Sequence, residues 1–282
     1  MRPFEYVEPE TLAEAVALLA TDVDDTHVLA GGTSLVILMK QDLVRPARVI
    51  GLRRLVELRA IDGGDGLRIG ALATHGALAR SAAVRAHAPA LARTFAAVAT
   101  VRIREQATVG GNLAHADPAQ DPPVTLLALD GRAVAASAAG TRTIPLDELF
   151  VDVFETSLRA DELLVRIELP PLPGGARATY KKFLPSTLDD YATVSVAVVV
   201  AVDGGGRCTH ARIALGGAAP VPLRAREAER ALLGRPLDDA AIREAAERAA
   251  AATDPIDDLR GSAEYKRAMA RVWTERALRE VA

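Results

Sequence analysis

The chain has 282 residues, half of them apolar, so it can bury a sizeable core in one large domain or two ordinary ones. Its formal net charge of −3, without a long run of like charges, argues against a nucleic-acid-binding face. The single cysteine, Cys208, excludes a disulfide framework and any zinc or iron–sulfur site built from several thiolates of this chain.

The first residues lack the apolar core of a signal peptide, and the longest apolar run, residues 194–202 with Ser195 inside it, is too short to span a bilayer. We therefore expect a cytoplasmic protein without a membrane span.

The N-terminal elements lead into a pair of glycines. Leu12, Val16 and Leu19 share one helical face, and a strand over residues 26–30 runs into Gly31-Gly32. Ser34 is predicted to cap a helix over residues 35–40. A strand, a glycine turn and a helix N-terminus together are typical of an anion site.

The middle of the chain mixes strands and helices. Strands are predicted over residues 46–52 and 66–71, around 132–135 and 141–144, and over 162–169. An alanine-rich helix over residues 82–98 leads to a second glycine pair, Gly110-Gly111.

Residues 170–175, which hold three prolines and two glycines, are the best candidate for a domain boundary. Strands follow at 180–183, 192–202 and 208–216, and helices at about 224–233, 238–252 and 262–281. The C-terminal part is therefore predicted to be a small sheet covered by three helices.

Both glycine pairs lie beside small hydroxyl or amide residues, in Leu29-Ala30-Gly31-Gly32-Thr33-Ser34-Leu35 and in Thr108-Val109-Gly110-Gly111-Asn112. Glycine lets a ligand approach the main chain closely, so consecutive N–H groups can surround an anion such as a pyrophosphate. A lone glycine pair is usually an ordinary turn. Two such loops could hold one diphosphate.

These two motifs resemble the paired FAD-binding signatures of the flavoprotein (medium) subunits of molybdenum hydroxylases, of the carbon monoxide dehydrogenase and xanthine dehydrogenase type. The resemblance continues at residues 217–229 and 259–267. It implies an α+β fold in which a two-lobed FAD-binding domain of the vanillyl-alcohol-oxidase (PCMH) type, residues 1–173, precedes a smaller α+β domain like the CO dehydrogenase flavoprotein C-terminal domain, residues 174–282. That smaller domain would hold a three-stranded sheet with three helices.

The resemblance also implies the function. The chain would be an oxidoreductase subunit that binds FAD and passes electrons from [2Fe–2S] clusters on a small partner subunit to NAD⁺, a quinone, oxygen or another acceptor. The molybdenum cofactor would lie on a large partner subunit, with the whole complex a dimer of heterotrimers. The lone cysteine fits this arrangement, and no general acid or base is expected on this chain.

Several side chains are candidates for holding the cofactor. The resemblance implies that Thr33, Ser34, Thr108 and Asn112 bond phosphate or ribityl oxygens, with the stabilisation of turns as the alternative. Asp121 matches a cofactor-holding aspartate of the family. Asp117, in the same loop, has an Asp-Pro turn as an equal alternative.

Three further candidates come from the resemblance. Leu164 and Lys182 match positions that contact the flavin, but Leu164 could belong to the core, and Lys181 could face the ligand instead because strand neighbours point opposite ways. Tyr191 falls where the family places a residue close to the ring, with a core tyrosine as the alternative.

Two cofactor questions have sequence-based answers. Covalent flavoproteins of the wider fold carry a histidine where this chain has Thr33, so the flavin should be bound noncovalently. His115 and Asp117 could supply two metal ligands, but no third is visible nearby, so no metal site is expected.

Two other classes of function remain open at this stage. A stand-alone FAD-dependent oxidase or reductase of the same fold would need its own substrate pocket, and a glycine-rich interaction domain would bind no flavin. A Rossmann dehydrogenase is disfavoured, because no G-x-G-x-x-G follows a strand.

Overall fold

The computed structural model describes residues 2–21, 25–185, 187 and 190–282. Within that part, the chain forms three sheets in its first 169 residues and a fourth sheet afterwards.

The first sheet is small and parallel. Its order is β1-β3-β2, from strands β1 (Glu5–Val7), β2 (Thr26–Leu29) and β3 (Arg48–Gly51). Helix α1 (Leu12–Thr21) buries Ala15, Val16 and Leu19, as the predicted helical face requires. Helix α2 (Leu35–Lys40) follows the first glycine pair, and a 3₁₀ helix over Val56–Arg59 leads to the next sheet.

The second sheet is antiparallel with the order β4-β5-β10-β6-β7. Its strands are β4 (Ile61–Gly64), β5 (Gly66–Gly70), β6 (Arg132–Ser137), β7 (Gly140–Pro145) and β10 (Leu163–Leu169). Strands β8 (Phe150–Asp152) and β9 (Glu155–Thr156) form a separate hairpin. The helices of this region are α3 (His75–Arg80), α4 (Ala82–His87), α5 (Pro89–Ala96), α6 (Val101–Gln106), α7 (Val109–His115), α8 (Asp121–Ala128) and α9 (Leu146–Leu149).

The second sheet separates two cores, because side chains alternate across a strand. Val134 and Ala136 of β6 pack against α1 and β3, whereas Ala133 and Ala135 belong to the core formed with helices α3 to α5, α7 and α8. The N-terminal part is thus two-lobed, with a parallel-sheet lobe and a larger helical lobe on opposite faces of one sheet.

The C-terminal part is a four-stranded antiparallel sheet, β11-β12-β13-β14, covered by three helices. The strands are β11 (Arg177–Phe183), β12 (Val194–Val202), β13 (Cys208–Gly216) and β14 (Leu223–Arg224), and the helices are α10 (Arg226–Leu232), α11 (Asp239–Ala251) and α12 (Ala263–Val281). The two-residue β14 is an addition to the three strands predicted from the sequence.

Strand β12 is buried on both faces. Val196, Val198 and Val200 pack against α10 to α12, while Ala197 and Val199 belong to the same core as α8 of the N-terminal part. The C-terminal sheet therefore packs directly on the helical lobe, which brings residues from both parts of the chain to one junction.

Two local predictions were wrong. The helix predicted over residues 82–98 is two helices, because Pro89 begins α5 and places Ala88 in an extended conformation with φ −150°. Ser34 does not cap α2: it is itself helical, with φ −98° and ψ −52°, and its side chain makes no capping hydrogen bond.

No helix in the described residues is both long enough and apolar enough to cross a bilayer.

Candidate functional site

The two glycine motifs lie against each other. A Cβ built on Gly31 would fall 2.1 Å from the carbonyl oxygen of Gln106, just before the second motif. A Cβ built on Gly111 would lie 3.5 Å from the Cβ atom of Ala30. Gly32 adopts φ +74°, a left-handed conformation that favours glycine. The close approach of the two segments therefore requires glycine at position 31, and the turn favours it at 32.

The first motif presents free hydrogen-bond donors. Within the described residues, none of the backbone N–H groups of residues 30–35 has a protein acceptor, and the first bond of α2 comes from Val36 to the carbonyl of Gly32. The hydroxyls of Thr33 and Ser34 likewise make no hydrogen bond in this part of the chain. The segment from Ala30 to Leu35 is thus a half-buried loop rich in unused donors, with Leu29 as the last residue of β2 before it.

The second motif is different, because it forms the first turn of helix α7. Val109 and Gly110 donate to the carbonyls of Ala73 and Ala71, at 3.0 and 2.8 Å. Thr108 caps the helix: its Oγ1 accepts from Gly111 at 3.2 Å and its carbonyl accepts from Asn112 at 2.9 Å. The expectation that both glycine pairs offer free N–H groups was therefore wrong for the second one.

What the second motif does leave unused is a side-chain acceptor. The Oδ1 atom of Asn112 is buried and has no hydrogen-bond partner within the described chain. Because buried polar atoms are nearly always hydrogen-bonded, an orphaned carbonyl oxygen beside the free loop indicates a ligand or a water molecule there.

Asp121 and Lys182 meet across the junction of the two parts. Asp121, the first residue of α8, is 5% exposed, and its Oδ2 accepts from Lys182 Nζ at 2.9 Å. Its other oxygen, Oδ1, accepts from the hydroxyl of the partly buried Tyr180, and Lys182 also donates to the carbonyl of Ala97 at 3.2 Å. The two predicted site residues thus bind each other.

Electrostatics in this cluster follow from burial. Burial raises the pKa of Asp121, and the ammonium of Lys182 and the hydroxyl of Tyr180 oppose that rise. Burial and the neighbouring carboxylate together raise the pKa of Tyr180 well above its ordinary value. Lys181 points the other way along β11 and pairs with Glu280 of α12, so Lys182 is the lysine that faces the junction.

Tyr191 and Asp117 lie near this cluster at its more open side. Tyr191 is 41% exposed, and the guanidinium of Arg260 lies over its ring at 5.4 Å from the centroid. Burial first, and then the charge of Asp117, raise the pKa of Tyr191. Asp117 also makes the turn that its sequence indicated, since its Oδ1 accepts from Ala119 at 2.9 Å.

Leu164 lies in the core. It is 5% exposed on β10 and packs in the cluster that contains Ala135 and the helical lobe. The structure therefore favours the core alternative for this residue, and its contact with a flavin stays a prediction.

Other residues at the junction were missed from the sequence. Tyr180 could have been found, because it lies two residues before Lys182 on the same face of a strand. Gln120, buried with its Oε1 unpartnered, had no comparable signal, and Arg260 is distant in sequence.

Histidines add no metal site in the described residues, where no cluster of three or more His, Cys, Asp or Glu could hold a metal ion. The ring of His115 packs at a tilt against that of Phe154, with ring centroids 5.1 Å apart and an interplanar angle of 42°. His75 is fully buried against Phe95, both its ring nitrogens lack partners, and burial lowers its pKa to about 4.

Comparison with known proteins covers the whole chain. Residues 2–172 match the family model described as the FAD binding domain in molybdopterin dehydrogenase, and residues 178–281 match the CO dehydrogenase flavoprotein C-terminal domain. The chain is 38% identical to the 6-hydroxypseudooxynicotine dehydrogenase complex subunit alpha of Paenarthrobacter nicotinovorans, over 99% of this chain and 95% of that one. It is 37% identical to the carbon monoxide dehydrogenase medium chain of Hydrogenophaga pseudoflava, over 98% and 96%.

Solved structures agree. A chain of the H. pseudoflava carbon monoxide dehydrogenase superposes with a TM-score of 0.95 at 39% identity, covering 100% of this chain and 98% of that one. A chain of quinoline 2-oxidoreductase from Pseudomonas putida 86 gives 0.93 at 32% identity, covering 99% and 97%. The chain therefore belongs to the FAD-binding medium subunits of the molybdopterin dehydrogenases, the oxidoreductase family that includes the CO dehydrogenase medium chains and the xanthine dehydrogenase FAD-binding subunits.

Proposed function

We propose that this chain binds FAD noncovalently within a molybdenum hydroxylase and passes electrons from [2Fe–2S] clusters of a small partner subunit to a terminal acceptor such as NAD⁺, a quinone or oxygen. The molybdenum cofactor then lies on a large partner subunit, and the complex is a cytoplasmic dimer of heterotrimers. Residues 1–173 form the FAD-binding domain and residues 174–282 the C-terminal domain.

The observation that carries this proposal is the run of unused N–H groups over residues 30–35, next to the orphaned Oδ1 of Asn112. A dinucleotide carries phosphate oxygens that accept hydrogen bonds and hydroxyls that donate them. The free donors of the first motif suit the phosphates, and the free acceptor of Asn112 suits a hydroxyl. The residues present therefore fit FAD.

When bound, FAD supplies a ring system that takes up and releases electrons in one- or two-electron steps. The protein's part is to hold and orient the cofactor. Thr33 and Ser34 add hydroxyl donors beside the N–H groups of the first motif. The end of α6, just before the second motif, fixes that loop in place, because Gly31 packs directly on the backbone of Gln106.

The junction cluster, formed by Asp121, Lys182 and Tyr180, would bind a part of the cofactor away from the first motif. Asp121 and Lys182 form a buried pair. In the part of the chain that the structure describes, Lys182 uses two of its three donors on Asp121 and Ala97, so a third N–H is available for a ligand. Tyr191 offers a partly exposed ring whose position is set by Arg260.

The single cysteine supports the division into subunits. Cys208 is buried, and one thiolate cannot hold a [2Fe–2S] cluster, so clusters that feed electrons to this chain belong to another chain. Named relatives are medium chains or subunits of complexes, which supports the same arrangement.

The visible spectrum of the purified chain, before and after acid precipitation, tests this proposal. We expect flavin absorption bands that move wholly to the supernatant after precipitation, or uptake of added FAD at micromolar concentration if the chain is purified colourless. Flavin that stays with the precipitate would contradict noncovalent binding, and failure to take up FAD would contradict the cofactor assignment.

Co-expression with candidate partner subunits separates electron transfer within a complex from independent catalysis. We expect the flavin of the assembled complex to be reduced by substrate of the molybdenum subunit, and the flavin of the isolated chain to stay oxidised with the same substrate. Turnover of a small donor by the isolated chain would instead identify a stand-alone flavin oxidase or reductase.

A further inference from the structure

Gln120 carries a buried hydrogen-bond acceptor that no described residue of the chain uses. The side chain is 7% exposed, and Oε1 has no partner in the described residues. The residue occupies the N-cap position of α8, but its side chain makes no capping hydrogen bond there. Its conformation is therefore not explained by the local helix.

The backbone around Gln120 is held from several sides. Its own N–H donates to the carbonyl of Asp117 at 3.2 Å, and the carbonyl of Pro118 accepts from Gly217 of the C-terminal part at 2.9 Å. The next residue is Asp121, whose two oxygens are bound by Tyr180 and Lys182. The side chain of Gln120 thus emerges from a rigid segment at the junction, among the predicted cofactor residues.

An orphaned buried carbonyl oxygen is unfavourable, because burial removes its water without providing a donor. An apolar side chain at position 120 would avoid that cost if the residue served packing alone. The same segment, residues 112–121, contains a second orphaned acceptor, Oδ1 of Asn112, and the opposite deficit occurs in the first glycine motif, where donors lack acceptors.

The unused groups of the first motif are therefore hydrogen-bond donors, whereas those of residues 112–121 are acceptors. An ionised phosphate accepts hydrogen bonds and cannot satisfy the carbonyl oxygens of Gln120 and Asn112, whereas a hydroxyl or a ring N–H can donate to them. FAD has both kinds of group, with acceptors on its pyrophosphate and donors on its ribityl chain and ring system.

We propose that Gln120 is a cofactor-positioning residue whose Oε1 accepts a hydrogen bond from a ribityl hydroxyl or ring N–H of FAD, while the pyrophosphate binds the N–H groups of residues 30–35. This inference rests on the proposed function and extends it. It gives the two glycine motifs separate tasks, since the first holds the anionic part of the cofactor and the segment after the second holds a donor-bearing part.

The proposal predicts effects of opposite sign on stability and on affinity. Gln120→Met keeps the side-chain length and removes the orphaned acceptor, so the variant without FAD should unfold at a temperature equal to or higher than that of the wild type. Its Kd for FAD should rise about three- to tenfold, as expected for the loss of one hydrogen bond between neutral groups. A residue with a purely structural role would show lower stability and an affinity changed only through misfolding.

The experiment is an FAD titration followed by the quenching of flavin fluorescence, with thermal unfolding of the FAD-free proteins measured alongside. Gln41→Met is the matched control, because Gln41 is an exposed glutamine whose side chain makes no hydrogen bond in the described chain. We expect the control to match the wild type in both measurements.

The outcomes distinguish the role of Gln120 from the binding of FAD by the chain. If the wild type and Gln120→Met bind FAD with equal affinity, the role of Gln120 is refuted while the proposed function stands. If Gln120→Met lowers the unfolding temperature by several degrees, the side chain is structural and the proposal is refuted. If the wild type takes up no FAD at all, the proposed function itself fails.

Discussion

The buried pair between Asp121 and Lys182 gives the sharpest test of how the two parts of the chain are joined. Their side chains are 6% and 8% exposed, and within the described residues the other acceptor of Lys182 is the neutral carbonyl of Ala97. Asp121→Asn would leave the ammonium buried without a counter-charge. We expect the free energy of unfolding to fall by about 3–5 kcal/mol, the usual cost of removing one partner of a buried pair.

A double-mutant cycle shows whether this cost belongs to the pair. Replacing both residues, as in Asp121→Leu with Lys182→Met, removes both buried charges, and we expect the double variant to recover most of the stability that either single variant loses. The measurement is the urea midpoint without added FAD, because bound cofactor stabilises the folded state by mass action and would mask the comparison.

The adjacent pair of Lys181 and Glu280 is the matched control. It joins the same strand to α12, but its side chains are 30% and 41% exposed. Glu280→Gln should therefore cost no more than about 1 kcal/mol. If Asp121→Asn costs as little as Glu280→Gln, and the single effects of the cycle simply add, the buried junction described above is wrong.

Three further predictions follow from single residues. Gly31→Ala should abolish FAD uptake and lower stability, because its Cβ would fall 2.1 Å from the carbonyl oxygen of Gln106, whereas Gly64→Ala, with no atom within 4 Å of the added Cβ, should keep FAD binding; equal FAD affinity of the two variants would contradict the close packing. His75 has a pKa of about 4 in the folded state against 6.5 for an ordinary histidine, so the unfolded state takes up its proton first and stability should fall by about 3 kcal/mol as the pH drops from 6.5 to 4. His75→Leu should remove that part of the slope in urea unfolding curves measured across this range. Cys208 is 1% exposed and burial raises the pKa of its thiol, so Ellman's reagent should label it only after unfolding, and rapid labelling of the native chain would refute its burial.

Much of the architecture could be predicted because its signals are local. The family, the α+β fold, the FAD-binding domain and the oxidoreductase class predicted from the paired glycine motifs are confirmed. Periodicity predicted helix α1 with its buried face, and a strand was predicted over residues 192–202, where β12 lies. These features depend on neighbours within one element.

Features that depend on contacts between residues distant in sequence were not predicted correctly. Val109 and Gly110 lose their free N–H groups to Ala71 and Ala73, a pairing that depends on how α7 packs against the segment after β5. A bulge between Leu164 and Arg166 shifts the register of β10, so alternation alone could not show which side Leu164 faces.

The roles of the junction residues in holding FAD stay predictions. The contact between them could not be predicted, because the residues are distant along the chain. Asp121 and Lys182 were predicted separately as cofactor residues, yet they bind each other where α8 packs on strands β12 and β13 of the C-terminal sheet. No local pattern contains that contact. The sequence nevertheless held one usable signal, since Tyr180 and Lys182 are two residues apart and lie on the same face of β11. Both donate to the carboxylate of Asp121.

The packing of the first motif on the second ties cofactor binding to the folding of the N-terminal part. The free donors of residues 30–35 belong to the parallel-sheet lobe, whereas Gln106 and Asn112 belong to the helical lobe on the other face of the second sheet. The site is therefore complete only when both lobes are folded and in contact. Because FAD binds this assembled form, added FAD should raise the stability of both lobes together, and a variant that separates them should lose the cofactor even when every side chain of the site is intact.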